Sequence, residues 1–406
     1  MPKSSALERS LGGFLRERGP PREALTPAPS FPPAFQAAPP AREIMSAPSP
    51  AHRAPGTGPV RVLVVDDSAI VRAALRKELG AHPGIEVVGA APDPFVARDL
   101  IQQLAPEVLV LDLEMPRMDG LSFLRRLMAF HPLPVIVCSS LSPQGSEVAL
   151  SCLEAGAIEV FCKPSAAYSI GDLGRDLVRA VLQARGVRLQ PRQPPAGGPS
   201  PRSTALRETT NKVILVGAST GGPPALQAIL SNLPANMPGI VIVQHMPAGF
   251  TAAFAKRMDG ASALEVREAK HGDLIGPGKV LVAPGDLHLK VVRSGAQYLV
   301  ETQGGPPVRH HRPSVEVLFE SGAKALGANA MGLILTGMGN DGAGGLASMH
   351  AAGALTVAQD EASSVVFGMP REAIAAGGVD EVLPLQEIPA RMVDFARGQA
   401  RRRAVG

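Results

Sequence analysis

The sequence predicts two α/β domains in tandem: a five-stranded parallel sheet first, then a doubly wound, mostly parallel sheet. Two observations carry this. Short apolar runs alternate with helical patterns, which is the rhythm of parallel strands covered on both faces. One stretch rich in Pro, Gly and Arg, "GVRLQPRQPPAGGPSPRSTALRETTN", breaks that rhythm and reads as a linker over about residues 186–210.

The first domain is expected over residues 60–185. Its strands are read from "RVLVVDD", "EVVGAA", "EVLVLDLEMP", "PVIVCSS" and "EVFCKP". Its last helix, "GDLGRDLVRAVLQAR", puts Leu173, Leu177, Val178, Val181 and Leu182 on one face. The second domain is expected over residues 211–398, with strands in "VILVGAS", "IVIVQHM", "KVLVAPG", "GLILTGM" and "LTVAQD" and an antiparallel excursion around residues 279–302. Residues 1–59 are rich in Pro, Ala and Arg and bury too little apolar surface to offset their ordering entropy, so they are expected to be disordered. Residues 399–406, which include "RRR", are expected to form a solvated basic tail.

A chain of 406 residues is long enough for two separate cores. No apolar run approaches the roughly 18 residues needed to span a bilayer, and the N-terminus lacks a secretory h-region. A cytoplasmic protein with no membrane insertion is expected. Cys138, Cys152 and Cys162 are too few for a disulfide framework and read as reduced, buried thiols. The net charge of +4 is modest, and no element for reading nucleic acid accompanies it, so no nucleic-acid partner is expected.

Asp66 and Asp67 close the first strand, and Asp112 closes the third. Ligands of doubly wound sheets bind beyond the carboxyl ends of the strands. Carboxylates gathered there repel one another unless a divalent cation lies between them, and oxygen-only ligands suggest Mg²⁺. Ser139 and Lys163 end the fourth and fifth strands, so a hydroxyl and an ammonium aim at the same point. These residues resemble the receiver domain of response regulators, a flavodoxin-like fold, over Val60 to about Arg185. The resemblance implies that Asp112 is the phosphoacceptor and that Asp67 binds Mg²⁺ directly, with Asp66 acting through water. It also implies that the Glu114 carbonyl completes the metal shell and that Ser139 and Lys163 bind the phosphoryl group. The aromatic that receivers carry three residues before the lysine is Val160 here, so the likeness does not extend to a rotating aromatic.

In the second domain "VILVGASTGGPPAL" breaks at glycine and presents one serine. The spacing fits a dinucleotide fingerprint poorly and a G-x-S-x-G nucleophile elbow well. A serine hydroxyl needs a base. "VIVQHMP" brings His245 to the end of the next strand, and "LTGMGNDGAGG" brings Asp341 to the end of a later one. Ser219, His245 and Asp341 are therefore expected to meet at one sheet edge, a triad judged by role rather than chain order. The neighbouring glycines let amides approach a developing oxyanion. His271, His288 and the pair His310–His311 lack partners at metal-ligand spacing and read as loop or substrate-groove residues.

The run "GASTGGPPAL…VQHMP…VAPGDLHL…HHRPSVEVLF…LTGMGNDGA…AQDEASSVVFGMPREA" resembles the chemotaxis protein-glutamate methylesterases, the CheB family, over about residues 60–395. The resemblance implies Ser219, His245 and Asp341 as catalytic residues, with Thr220 and Met338 at the oxyanion hole. It implies hydrolysis of glutamate γ-methyl esters on chemoreceptor helices, deamidation of glutamine in some members, and no cofactor for the esterase step. A chemotaxis histidine kinase is the implied phosphodonor, and the unphosphorylated receiver is implied to cover the active site. Two rival readings are a phosphorylation-controlled nucleotide-binding module and a DNA-binding response regulator. The absence of a compact helix-turn-helix pattern disfavours the second.

Overall fold

The computed structural model describes residues 58–116, 118–139, 142–163, 170–185, 187 and 211–399. The N-terminal extension, the linker and the basic tail fall almost wholly outside those residues.

The first sheet comprises β1 (Val60–Val65), β2 (Ile85–Ala91), β3 (Val108–Asp112), β4 (Val135–Ser139) and β5 (Glu159–Cys162). Its order is β2-β1-β3-β4-β5, and every pair is parallel. Runs such as "VRVLVV" and "VLVLD" are apolar at nearly every position because both faces are covered. Val62 and Val64 pack with Leu75 and Leu79 of α1 (Ala69–Gly80) and with Leu173 and Leu177 of α5 (Ile170–Ala184). Leu63 and Val65 face the opposite layer, which holds Phe123, Leu124 and Leu127 of α3 (Gly120–Phe130). The strand order reverses at β1 and β3, so their ends deliver Asp66 and Asp112 to the ligand-binding edge.

The second sheet has the order β14-β13-β12-β6-β7-β9-β8. Its strands are β6 (Val213–Ala218), β7 (Gly239–Gln244), β8 (Glu265–Glu268), β9 (Lys279–Val282), β12 (Ala330–Ile334), β13 (Leu355–Gln359) and β14 (Glu381–Leu383), all paired in parallel. The expected antiparallel excursion begins later than the sequence suggested. Val280 and Val282 are buried and keep β9 in the parallel sheet beside β7. The antiparallel hairpin is β10 (His288–Ser294) with β11 (Gln297–Gln303), which forms its own two-stranded sheet.

The two α/β halves touch. Helix α4 (Pro143–Ala155) of the first packs against α6 (Gly222–Leu230) and α7 (Phe250–Ala261) of the second. One apolar cluster links Leu150, Leu153 and Val160 with Leu226, Met246 and Phe250. At its rim the Arg257 guanidinium donates from Nε to Glu154 Oε1 at 2.6 Å and from a second nitrogen to Ser151 Oγ at 3.2 Å, and its third nitrogen donates to Glu154 Oε2.

Candidate active site and acidic pocket

Ser219 follows β6 at the turn into α6. Two glycines of its motif have steric reasons to be there. A side chain at Gly217 would run into Val315, and Gly221 adopts φ 77°, where a Cβ would lie 2.6 Å from that of Val365. The Ser219 amide donates to the Thr336 carbonyl at 3.1 Å, and the His245 amide donates to the Ala218 carbonyl at 3.1 Å, so the ends of β12, β6 and β7 are tied together. Gln244 adds a clamp: its Nε2 donates to the carbonyls of Ser219 (2.9 Å) and His245 (3.1 Å).

His245 and Asp341 meet, with Nε2 2.8 Å from Oδ2. Asp341 is buried and strongly held. Ser314 Oγ donates to its Oδ1 at 2.8 Å, the Val315 amide to Oδ2 at 2.7 Å, and the Glu316 amide to Oδ1 at 3.1 Å. Burial alone would raise its pKa, but the bonds from His245, Ser314 and Val315 outweigh that and hold the carboxyl below the usual range. An ionised Asp341 fixes the proton of His245 on Nε2. The other nitrogen, Nδ1, is buried without a hydrogen-bond partner. Ser219 and His245 line one cavity, but the bond between them is not made in this state. Catalytic hydrogen bonds often tighten only once substrate binds.

Among the described residues, no backbone carbonyl accepts from the Thr220 or Met338 amide. Gly337, just before Met338, leaves no room for a side chain: a Cβ would lie 2.8 Å from Ser219 Cβ. Thr220 directly follows the serine, and the residue before Met338 packs against it.

The cavity is about 30 Å³ and is closed partly by the first domain, through Leu153, Ile158, Glu159 and Val160. A water needs about 10–15 Å³ of such space. The cavity has space enough for water. Half-buried Glu159 accepts from Thr220 Oγ1 at 3.4 Å, next to the serine. Val160, the residue out of step with the receiver pattern, forms part of this lid.

The position of Glu159 sets a pH dependence. Burial pushes its carboxyl up to about 7, so the docked arrangement favours the neutral acid. Undocked, the group returns toward the ordinary value of about 4.3. Closure therefore takes up a proton, is strongest below about 4.3, weakens as pH rises toward 7, and is flat above. The basal rate of the full chain, divided by that of the second domain alone, should climb between pH 5.5 and 7 and then level off. Glu159→Gln should flatten that ratio. A ratio in the parent chain that does not change with pH would remove Glu159 from the closing contact.

In the first domain the carboxylates of Asp66, Asp67 and Asp112 offer oxygens within 4.8 Å of one another. Asp66 and Asp112 are buried, Asp67 is exposed, and Lys163 Nζ lies 2.7 Å from Asp112 Oδ2 and 3.3 Å from Asp66 Oδ2. Burial raises the Asp112 carboxyl to about 6 despite Lys163 and the Glu114 amide, which donates to Oδ1 at 3.0 Å. Apart from Lys163, Asp66 Oδ2 and Asp112 Oδ2 have no hydrogen-bond partner among the described residues. One ammonium against these carboxylates leaves negative charge uncompensated, which suits a divalent cation with oxygen ligands. Ser139 is buried at the same edge, and its Oγ donates to the Gly145 carbonyl at 3.2 Å.

The family comparisons match both domains. The sequence model described as CheB methylesterase matches residues 214–392, and that of the response regulator receiver domain matches residues 62–172. Protein-glutamate methylesterase/protein-glutamine glutaminase 4 of Anaeromyxobacter dehalogenans is 55% identical over 340 residues, which span 83% of this chain and 95% of the relative. The chain belongs to the CheB methylesterase family. A second relative, protein-glutamate methylesterase/protein-glutamine glutaminase 2 of Syntrophus aciditrophicus, is 51% identical over 82% of this chain and 98% of its own length. The crystal structure of the Thermotoga maritima CheB methylesterase catalytic domain is 38% identical, covering 46% of this chain and 99% of that one, with a TM-score of 0.45. Leu153, Ile158, Glu159 and Val160 fall within the receiver match, so the lid described above is a receiver surface.

One histidine, His288, differs from the sequence expectation of loop or groove positions, whereas His311 keeps a loop position before the helix Val315–Leu326. His288 is buried on β10, with Nε2 3.0 Å from the Pro306 carbonyl. His311 stacks on His245, ring centroids 3.7 Å apart and planes within 7°. Sequence reasoning also missed Ser314, Gln244 and Glu159. The one available signal was the run "HHRPSVEV", in which two histidines and a serine precede a helix.

Proposed function

We propose that this chain is a phosphorylation-activated serine esterase that hydrolyses glutamate γ-methyl esters on the cytoplasmic helices of chemoreceptors. The observation that carries the reading is the His245–Asp341 dyad: its Nδ1 has no hydrogen-bond partner, and His245 lines the same cavity as Ser219. The relatives' names supply the protein-glutamate methyl ester, and the chemoreceptor follows from the family resemblance.

In the first half-reaction His245 Nδ1 accepts the Ser219 proton as Oγ attacks the ester carbonyl. Asp341 balances the imidazolium, and the Thr220 and Met338 amides stabilise the oxyanion. His245 then returns the proton to the departing methoxide, and methanol leaves an acyl-enzyme on Ser219. Water, deprotonated by the same nitrogen, attacks the acyl carbonyl, and His245 passes that proton to Ser219 Oγ as the acyl–Oγ bond breaks and the glutamate leaves. The acyl-enzyme route serves glutamine amides equally, with ammonia as leaving group, and the relatives' names include glutaminase. The esterase step needs no cofactor.

Asp112 is the phosphoacceptor, served by a chemotaxis histidine kinase. Mg²⁺, held by Asp67, Asp112 and the Glu114 carbonyl with Asp66 acting through water, would neutralise the phosphoryl charge when bound. Lys163 and Ser139 hold the phosphoryl oxygens. No described helix is long and apolar enough to cross a membrane; the family resemblance implies a cytoplasmic enzyme that meets receptors from inside the cell. The domains read as residues 60–185 for the receiver and 211–398 for the esterase. The test is methanol release from methylated receptor by the full chain, which should be fast only with a phosphodonor. Receptor left fully methylated under both conditions would reject the function.

A further inference from the structure

Residues 308–316 reach both members of the dyad from one side. Their tip is pinned by paired backbone bonds, with the Val308 amide donating to the His311 carbonyl at 3.1 Å and the His311 amide to the Val308 carbonyl at 2.9 Å. Three residues on, Ser314, Val315 and Glu316 supply the donors that hold Asp341. Between these two anchors His311 lies flat over His245 at 3.7 Å. Contact this close leaves the His245 ring one plane to occupy, and in that plane Nε2 meets Asp341 and Nδ1 stays free.

We propose that His311 is a positioning residue for the esterase reaction: its ring holds the general base in plane and faces the imidazolium that forms as Ser219 loses its proton. The proposal rests on the serine-esterase reading above. A cation over an aromatic face is attracted by the ring quadrupole, and more strongly where water is excluded. That requires an uncharged His311. Burial, reinforced by the charge of His245, pushes its imidazole far below the ordinary histidine range. The other charged groups acting on it are Asp341, His310 and the receiver's Arg179; Asp341 alone favours the cation. A groove residue would need neither the parallel geometry nor the same segment's grip on Asp341.

The full chain, activated by a small acyl phosphate, tests this with His311→Ala, His311→Phe and Ser219→Ala in parallel. His311→Ala should lower kcat about 10–100-fold with KM changed less than about 3-fold. His311→Phe keeps a flat ring over His245 and should restore most of kcat. An unchanged kcat in His311→Ala overturns the proposal. So does a Phe variant that folds and is as slow as Ala, because the ring nitrogens would then be what matters. A rise confined to KM assigns His311 to the substrate groove instead. If Ser219→Ala keeps its activity, the esterase reading itself falls, which separates the two failures.

Discussion

Replacing Ser219 with Ala should reduce demethylation by on the order of 10⁴–10⁶-fold while leaving folding and Asp112 phosphorylation intact. The size follows from the chemistry. Without the hydroxyl, His245 has no nucleophile to activate and no acyl-enzyme forms. Only the oxyanion donors and substrate binding remain, and these alone leave a small residual acceleration over water. The substitution removes one oxygen from a 4% exposed side chain whose neighbours are held by backbone bonds, so the fold should persist. Phosphorylation in the receiver does not involve this serine. Methanol assays on the activated variant, with circular dichroism and phosphorylation as controls, check the result. Substantial turnover would move the nucleophile elsewhere.

Removing residues 1–205 should release an esterase that ignores phosphodonor. In the full chain Leu153, Ile158, Glu159 and Val160 close a cavity of about 30 Å³ over Ser219 and His245. Arg257 pairs with Glu154 at the edge of that contact. Partly exposed pairs of this kind contribute little on their own, so the apolar cluster running from Leu150, Leu153 and Val160 into Met246 and Phe250 holds most of the closure. Without the receiver the cavity opens, and the rate should match or exceed that of the phosphorylated full chain. A truncated protein that folds but stays silent on methylated receptor would mean that the receiver contributes to the active conformation.

Much of this architecture was legible in the sequence, because parallel strands covered on both faces write themselves as apolar runs that end in polar residues. Asp66, Asp112, Ser219 and His245 each sit at such an end. The short edge strands were harder to see: "EVRE" in β8 and "EVL" in β14 are too short and too charged to stand out. The antiparallel hairpin was placed too early because "KVLVAPG" and "LHLKVV" run on with only a turn between them.

The support of the triad was less legible. Ser314 and His311 act on Asp341 and His245 across long sequence separations, and nothing local marks a histidine that will stack. Val160 and Leu153 carry no sign that they face another domain, since an interface residue and a core residue are equally apolar. Glu159 is the opposite case: an acid at a strand start reads as solvated, and only the docked second domain makes it a half-buried group beside Thr220.

The most direct single measurement is methanol release from methylated receptor by the full-length chain, followed before and after a small phosphodonor is added. A serine esterase closed by its own receiver should give a slow basal release that rises sharply on addition and disappears with Asp112→Asn. Release that is already maximal without phosphodonor, or that Asp112→Asn leaves unchanged, would contradict it.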